Sequence, residues 1–164
     1  MIHLVGTNHE LQHFARPKRA AEALVVKARG EFQEYLRTQI KILNPAVVAE
    51  ESVEEVMKCL GTESSVKAVA EECGVKHLYC DPDTETRTTL GVPIGSEHLT
   101  TEERRKYHNI REQYWHQQIK PYSNQLVLFV CGAEHVPSFR ALLKENECQV
   151  ETLCEYWGKD IYGT

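Results

Sequence analysis

The chain has 164 residues, the length of one ordinary domain, and we expect residues 1–164 to form a single compact unit around one core. Its hydrophobic fraction of 41% and charged fraction of 26% exclude a disordered tail. The net charge of −5 argues against a general binder of nucleic acid, so no nucleic-acid partner is expected.

The sequence offers no segment typical of membrane insertion or secretion. The longest apolar run, 126–133, is too short to cross a bilayer, and the first residues lack the basic stretch of a signal peptide. Six cysteines occur without C-x-x-C spacing, which favours free thiols over disulfides or a structural zinc site. We therefore expect a cytoplasmic protein without a membrane segment.

Short apolar strands alternate with amphipathic helices along the chain. In chain order the predicted elements are a strand over 2–5, a helix over 18–43, a strand over 46–49, helices over 53–60 and 64–73, a strand over 75–80, a helix over 100–120, a strand over 125–131, a helix over 137–146 and a strand over 149–153. The stretch 83–98, with Gly91, Pro93 and Gly95, is predicted to be a loop, and Thr100 with Glu103 forms a capping-box pattern. This alternation predicts an α/β fold with a mostly parallel or mixed sheet of about five strands flanked by helices.

Ligand sites of such folds lie at the carboxyl ends of the strands. Two strand ends carry the same pattern, Gly-x-x-His, in which the glycine permits a tight turn and the histidine follows three residues later. The histidines are His9 and His135, and a further strand ends in Glu50 and Glu51. Secondary candidates at or beside the strand ends are Glu10, Asp81 and Glu134.

Two histidines and a carboxylate that converge on one crevice suit a divalent metal, such as Mn, Co or Zn, with a position left open for water. The metal ligands in this hypothesis are His9, His135 and a carboxylate from Glu50 or Glu51. Without a metal, the same side chains would activate water directly as general bases.

The long helix adds Arg111, which lies beside an apolar stripe that contains Tyr107 and Tyr114. A guanidinium in that place requires an anionic partner. It would either stabilise an oxyanion or form a structural salt bridge with Asp81 or Glu50.

The remaining basic residues give weaker signals. Surface positions are predicted for four histidines, His13, His98, His108 and His116. A small basic cluster of Arg16, Lys18 and Arg19 at a predicted helix start hints at an anionic ligand or is simply solvated.

The segment Ile2-His3-Leu4-Val5-Gly6-Thr7-Asn8-His9 resembles the opening motif of the TraB family, which includes PrgY and GumN proteins. That family is similar to the TIKI metalloproteases and, more distantly, to ChaN and erythromycin-esterase proteins. Four further segments resemble family motifs in the same order: 45–50, Asp81 with Thr88-Thr89-Leu90, 111–115 and 132–137. TIKI proteins and many TraB relatives carry membrane segments or signal peptides, and this sequence shows neither.

The resemblance implies a compact hydrolase-like domain that cleaves a peptide or ester bond, with a divalent metal. It implies that His9, His135 and Glu50 are ligands or bases and that Arg111 stabilises an anion. Glu134 stands where a small residue is expected before the second histidine and is a candidate for an additional ligand.

The leading hypothesis is therefore a cytoplasmic hydrolase that acts on a small-molecule or peptide substrate. The alternative is a binding module that uses the same crevice to sequester a ligand or peptide without catalysis. A phosphoester-directed site is supported only by the basic residues and lacks a glycine-rich phosphate loop. An apolar last strand at a sheet edge would also let two copies pair as a homodimer.

Overall fold

The computed structural model describes residues 1–15, 22–94 and 98–162. Five parallel strands form one sheet in the order β3-β2-β4-β1-β5. The strands are β1 (Ile2–Thr7), β2 (Val47–Glu50), β3 (Lys76–Tyr79), β4 (Val127–Gly132) and β5 (Val150–Trp157). The helices are α1 (His9–Gln12), α2 (Glu22–Leu43), α3 (Glu54–Cys59), α4 (Ser65–Glu72), α5 (Thr84–Leu90), α6 (Thr101–Ile119), α7 (Val136–Glu145) and α8 (Lys159–Tyr162).

The predicted α/β fold is confirmed, and every pair of neighbouring strands is parallel rather than mixed. The three interior strands, β2, β4 and β1, are buried along their whole length, which explains their largely apolar character. β5 lies at one edge of the sheet, which is the position that the expected pairing of two copies requires.

Two cores cover the two faces of the sheet. One face packs against α6 and α7 through Trp115, Phe129 and Phe139, and the other packs against α2 and α4 through Phe32 and Leu128. Because side chains alternate along a strand, neighbouring residues of β2 enter opposite cores.

Two differences from the predicted elements lie directly after strand ends that carry candidate residues. Residues 84–90, predicted as loop, form α5, because Asp83 caps its N-terminus through the Thr86 amide and Gly91 ends it in the left-handed conformation. A short helix, α1, begins at His9 directly after β1, with Asn8 as its cap. The capping box of Thr100 and Glu103 forms as predicted.

The predicted start of the long second helix and the basic cluster of Arg16, Lys18 and Arg19 lie outside the described residues. No helix in the described ranges is long and apolar enough to cross a membrane.

Candidate functional site

Four adjacent strands, β3, β2, β4 and β1, bring polar side chains to one edge of the sheet. Asp81 follows β3, Glu51 follows β2, His135 follows β4 and His9 follows β1. The carboxyl ends of parallel strands face the same way, so these residues meet in space although they are far apart in sequence.

Strand alternation separates the two consecutive glutamates. Glu50 is fully buried on the face of α2 and α4, where it accepts a hydrogen bond from Ser64 Oγ at 2.5 Å and lies 2.8 Å from His77 Nε2. Glu51 points to the face of α6 and α7 instead. The expectation that Glu50 converges with the two motif histidines is therefore corrected, and Glu51 takes that position.

Glu51 is the central carboxylate of the site. Its Oε1 lies 2.5 Å from Arg111 Nη2 and 3.3 Å from His135 Nε2, and its Oε2 accepts a hydrogen bond of 2.7 Å from the Gly132 amide. Burial alone would raise the pKa of Glu51. The charge of Arg111, with contributions from the two histidines and the amide, outweighs burial and lowers this pKa from 4.5 to about 2. Glu51 is thus a carboxylate at every physiological pH.

Arg111 joins Glu51 to Asp81. Its Nε donates a hydrogen bond of 2.9 Å to Asp81 Oδ1, which also accepts one from Trp115 Nε1 at 2.9 Å. Arg87 of α5 pairs with the other oxygen of Asp81. Although burial opposes the charged form, the two carboxylates raise the pKa of Arg111, which stays a cation. Of the expected salt-bridge partners, Asp81 is paired with Arg111 and Glu50 is not.

His135 is completely buried and held from both sides. Its Nδ1 lies 2.8 Å from Glu112 Oε1, which also accepts a hydrogen bond from Ser138 Oγ at 2.7 Å. Its Nε2 is buried and has no hydrogen-bond partner among the described residues. Burial would lower the pKa of His135, but Glu51 and then Glu112 raise it. The nitrogen lies 3.3 Å from Glu51 Oε1, so a proton on it is stabilised by that carboxylate.

His9 approaches the same carboxylate from the cleft. Its Nδ1 lies 2.9 Å from Gln12 Oε1, an acceptor, and this contact favours the tautomer with the proton on Nδ1 and the lone pair on Nε2. That Nε2 is 3.9 Å from Glu51 Oε1, and the side chain is 52% exposed. Gly132 permits this approach, because a Cβ there would lie 3.0 Å from His9 Nε2.

A second pair of donors, His108 and Glu134, also lies close to His135. The His108 ring on α6 lies 4.1 Å from the His135 ring between centroids, and Glu134 precedes His135 in the chain. Donor atoms of His108, Glu134 and His135 all lie within 4.8 Å of one another. Burial and the neighbouring His135 lower the pKa of His108.

Two residues of this site, His108 and Glu112, were not predicted from the sequence. His108 was expected at the surface but is half-buried against His135. The available signal was spacing, since residues 108, 112 and 115 fall on one face of a helix and Trp115 fixes that face inward. The other weak candidates differ: His98 is exposed, whereas His13 lines the cleft described next.

A cleft of about 450 Å³ opens above these side chains. Its polar lining includes His9, Glu51, Asp81, His108, Arg111 and Glu134, and its apolar lining includes Val53, Val56, Met57, Leu60, Val92, Ile94 and Leu99. A neighbouring cavity of about 480 Å³ is lined by His9, Glu10 and Glu134. The secondary candidates Glu10 and Glu134 therefore lie beside the cleft.

The arrangement combines a fixed carboxylate, two imidazoles that are each held through Nδ1, and an accessible cleft of the size that small ligands occupy. Comparisons of the chain with protein-family models, with curated proteins and with solved structures found no match.

Proposed function

We propose that the chain is a hydrolase that activates water at His9, Glu51 and His135 and cleaves a peptide or ester bond of a substrate bound in the cleft. The observation that carries the proposal is the buried Nε2 of His135, which lies 3.3 Å from Glu51 Oε1 but has no hydrogen-bond partner among the described residues. Glu112 holds the ring through its opposite nitrogen. A buried polar atom without a partner is costly, and such atoms concentrate at functional sites.

The side chains of this site supply the parts that hydrolysis needs. His9 Nε2 is positioned to accept a proton from water in the cleft, because Gln12 holds its other nitrogen. Glu51 stabilises the positive charge that this transfer creates on the ring. Arg111 fixes Glu51 and lines the cleft, where its charge stabilises the negative oxygen that forms when water attacks a carbonyl.

A divalent metal (Mn, Co or Zn) is part of this proposal, and the donors fit one. Metal-ligating histidines commonly donate their second N–H to a carboxylate, as the contact of His135 with Glu112 allows. His135 would hold the ion with one of two neighbouring pairs, His9 with Glu51 or His108 with Glu134. A divalent ion bound there would supply Lewis-acid activation of water and of the carbonyl oxygen.

Three further expectations belong to the same proposal. The resemblance to the TraB family implies the same reaction class. Cytoplasmic location is supported by the six cysteines, all of which are free thiols. The substrate is a small molecule or peptide, which the mixed polar and apolar lining of the cleft can accept.

The test is hydrolysis of p-nitrophenyl esters and of fluorescence-quenched peptides by the purified chain, with and without added Mn²⁺, Co²⁺ or Zn²⁺. We expect His135→Gln and His9→Gln to lower kcat/KM by at least about 100-fold, the usual contribution of a positioned acid or base. The matched control is His77→Gln, which alters a buried histidine against Glu50 on the opposite face and should retain activity.

Full activity of His135→Gln would refute the assignment of the site. Saturable binding of the peptides by the wild-type chain, without any product, would assign the cleft to a non-catalytic binding module instead.

A further inference from the structure

His135 has two neighbouring donor pairs, and one imidazole nitrogen can bind only one ion. The pair of His9 and Glu51 is the one that the glycine motifs predict. Glu134 was a candidate from the sequence, but its pairing with His108 was recognised only in the folded chain. There the donor atoms of both residues and of His135 lie within 4.8 Å of one another. The contacts of each pair decide between them.

Glu51 is already neutralised. Its Oε1, the oxygen that faces both motif histidines, lies 2.5 Å from the guanidinium of Arg111, and its Oε2 receives the Gly132 amide. A divalent cation on Oε1 would come close to a permanent positive charge that is itself buried between Glu51 and Asp81. Repulsion between like charges at that distance opposes binding.

Glu134 carries no such partner. It is exposed and makes no ion pair with any residue in the described ranges. It lines the cleft together with His108, so a cation can reach both from solvent. Two imidazoles and one carboxylate are also a donor set found in catalytic zinc sites.

The spacing of this second set is near that of a metal site. Ligand atoms about 2.0–2.2 Å from one ion in a tetrahedral site lie roughly 3.3–3.6 Å apart. The donors here lie within 4.8 Å of one another, so the side chains would close by at most roughly 1.5 Å on binding an ion. The buried Nε2 of His135, which has no hydrogen-bond partner among the described residues, is a second observation that points to a ligand.

We infer that His108, Glu134 and His135 bind the divalent cation, while Glu51 and Arg111 form a permanent ion pair beside it. This inference rests on the proposed metal-dependent function and assigns the cation its ligands. It makes His108 and Glu134 metal-ligating residues and leaves His9, which lines the same cleft, as the base.

The test measures cation binding directly and does not depend on turnover. The full chain is titrated with Co²⁺, followed by visible absorption, and with Zn²⁺, followed by calorimetry, and the bound metal is counted after gel filtration. We expect one Co²⁺ per wild-type chain. Glu134→Gln and His108→Gln should each weaken binding at least about tenfold, as loss of a ligand costs no less than loss of its supporting contacts.

The controls use matched positions. His116→Gln alters a histidine two turns further along the same helix, and Glu102→Gln alters an exposed glutamate at the start of that helix. Both should bind Co²⁺ like the wild type, and His9→Gln should change the affinity less than about threefold. Because Glu134 is exposed, Glu134→Gln is expected to keep the fold, which its unfolding curve checks.

Two results would overturn the inference. Loss of Co²⁺ binding in His9→Gln and Glu51→Gln, with normal binding in Glu134→Gln and His108→Gln, would place the cation on the first pair and leave the proposed hydrolase standing. Absence of Co²⁺ and Zn²⁺ binding by the wild-type chain would also overturn it. Hydrolysis measured in chelated buffer would then test the proposed function separately, through the His135→Gln comparison.

Discussion

The two consecutive glutamates at the end of β2 lie on opposite faces of the sheet, and each face provides different partners. On the face of α2 and α4, Glu50 Oε1 contacts a hydroxyl and an imidazole, those of Ser64 and His77, while Oε2 is buried without a hydrogen-bond partner among the described residues. On the face of α6 and α7, Glu51 is paired with a guanidinium and a backbone amide. Both carboxylates are almost completely inaccessible to solvent, at 0% and 4% relative exposure.

The two groups also differ in what surrounds them. Glu51 lines the cleft, whereas Glu50 and His77 do not. The group around Glu50 therefore holds β2, β3 and the start of α4 together, while the group around Glu51 holds a charge at the edge of an accessible space. Strand alternation and different partners thus place Glu50 inside the core and Glu51 at the cleft.

The largest effect on stability should come from removing Arg111, the guanidinium that pairs with Glu51 and Asp81. Arg111→Met leaves Glu51 and Asp81 as buried carboxylates close together, and we expect the free energy of unfolding to fall by about 3–5 kcal/mol. Urea denaturation measures this. Arg140→Met, which removes an exposed ion pair with Glu155, should change it little. A comparably small loss in Arg111→Met would show that Glu51 does not depend on this pair.

Acid should affect the two faces differently. The folded-state pKa of Glu51 is lowered from 4.5 to about 2, so its contribution to stability is complete above about pH 4.5 and is lost as the pH falls towards 2. Glu51→Gln lacks this contribution. Its free energy of unfolding should therefore decrease less than that of the wild type between pH 5 and pH 2, measured by urea denaturation at each pH.

The exposed Glu145→Gln serves as the control for that series and should parallel the wild type. Identical acid dependence of the wild type and Glu51→Gln would contradict the ion-pair assignment.

On the opposite face, Ser64→Ala removes one of the two donors to Glu50 and the cap of α4, since Ser64 Oγ also accepts the Lys67 amide. We expect a loss of about 1–3 kcal/mol in unfolding free energy, because a buried carboxylate is left with one fewer partner. Hydrolysis and Co²⁺ binding should be unchanged. A large loss of either would mean that the Glu50 group also serves the site.

The smallest effect on stability is expected at Gly132, which contacts His9 and stands three residues before His135. A Cβ at Gly132 would lie 3.0 Å from His9 Nε2 and 3.2 Å from Glu51 Oε2. His9 can move aside because it is half exposed, so Gly132→Ala should cost only about 1 kcal/mol of stability. The displaced base should lower kcat/KM at least about tenfold.

Gly30→Ala is the matched control, since a Cβ there meets nothing within 4 Å in the middle of α2. It should raise the free energy of unfolding by about 0.5–1 kcal/mol without changing kcat/KM. Unchanged activity of Gly132→Ala would argue against His9 as the base.

Much of the geometry could be predicted from single residues and their spacing. Gly6 with His9 and Gly132 with His135 marked two strand ends, and parallel strands bring such ends together. The predicted turn at Gly6 was wrong, since Gly6 lies within β1, where a Cβ would collide with the Glu155 carbonyl of β5. The capping box at Thr100 and the apolar strands also placed the main elements. These signals are local or depend only on the direction of the strands.

What could not be predicted depends on distant contacts. The apolar pattern does not tell which of two consecutive glutamates at a strand end points to which face of the sheet, because a shift of one residue reverses the face. Likewise His108 and Glu112 acquire partners only where α6 packs on the segment that contains His135. Nothing in the residues around position 108 identifies that neighbour.

The sequence by itself determined the fold class and the edge of the sheet at which polar residues gather, since both follow from patterns that repeat along the chain. The tertiary structure decided which carboxylate faces the cleft, which cation neutralises it and which donors surround His135. Those choices depend on contacts between residues tens of positions apart, and only the packing of α6 and α7 against the sheet brings them within hydrogen-bond distance.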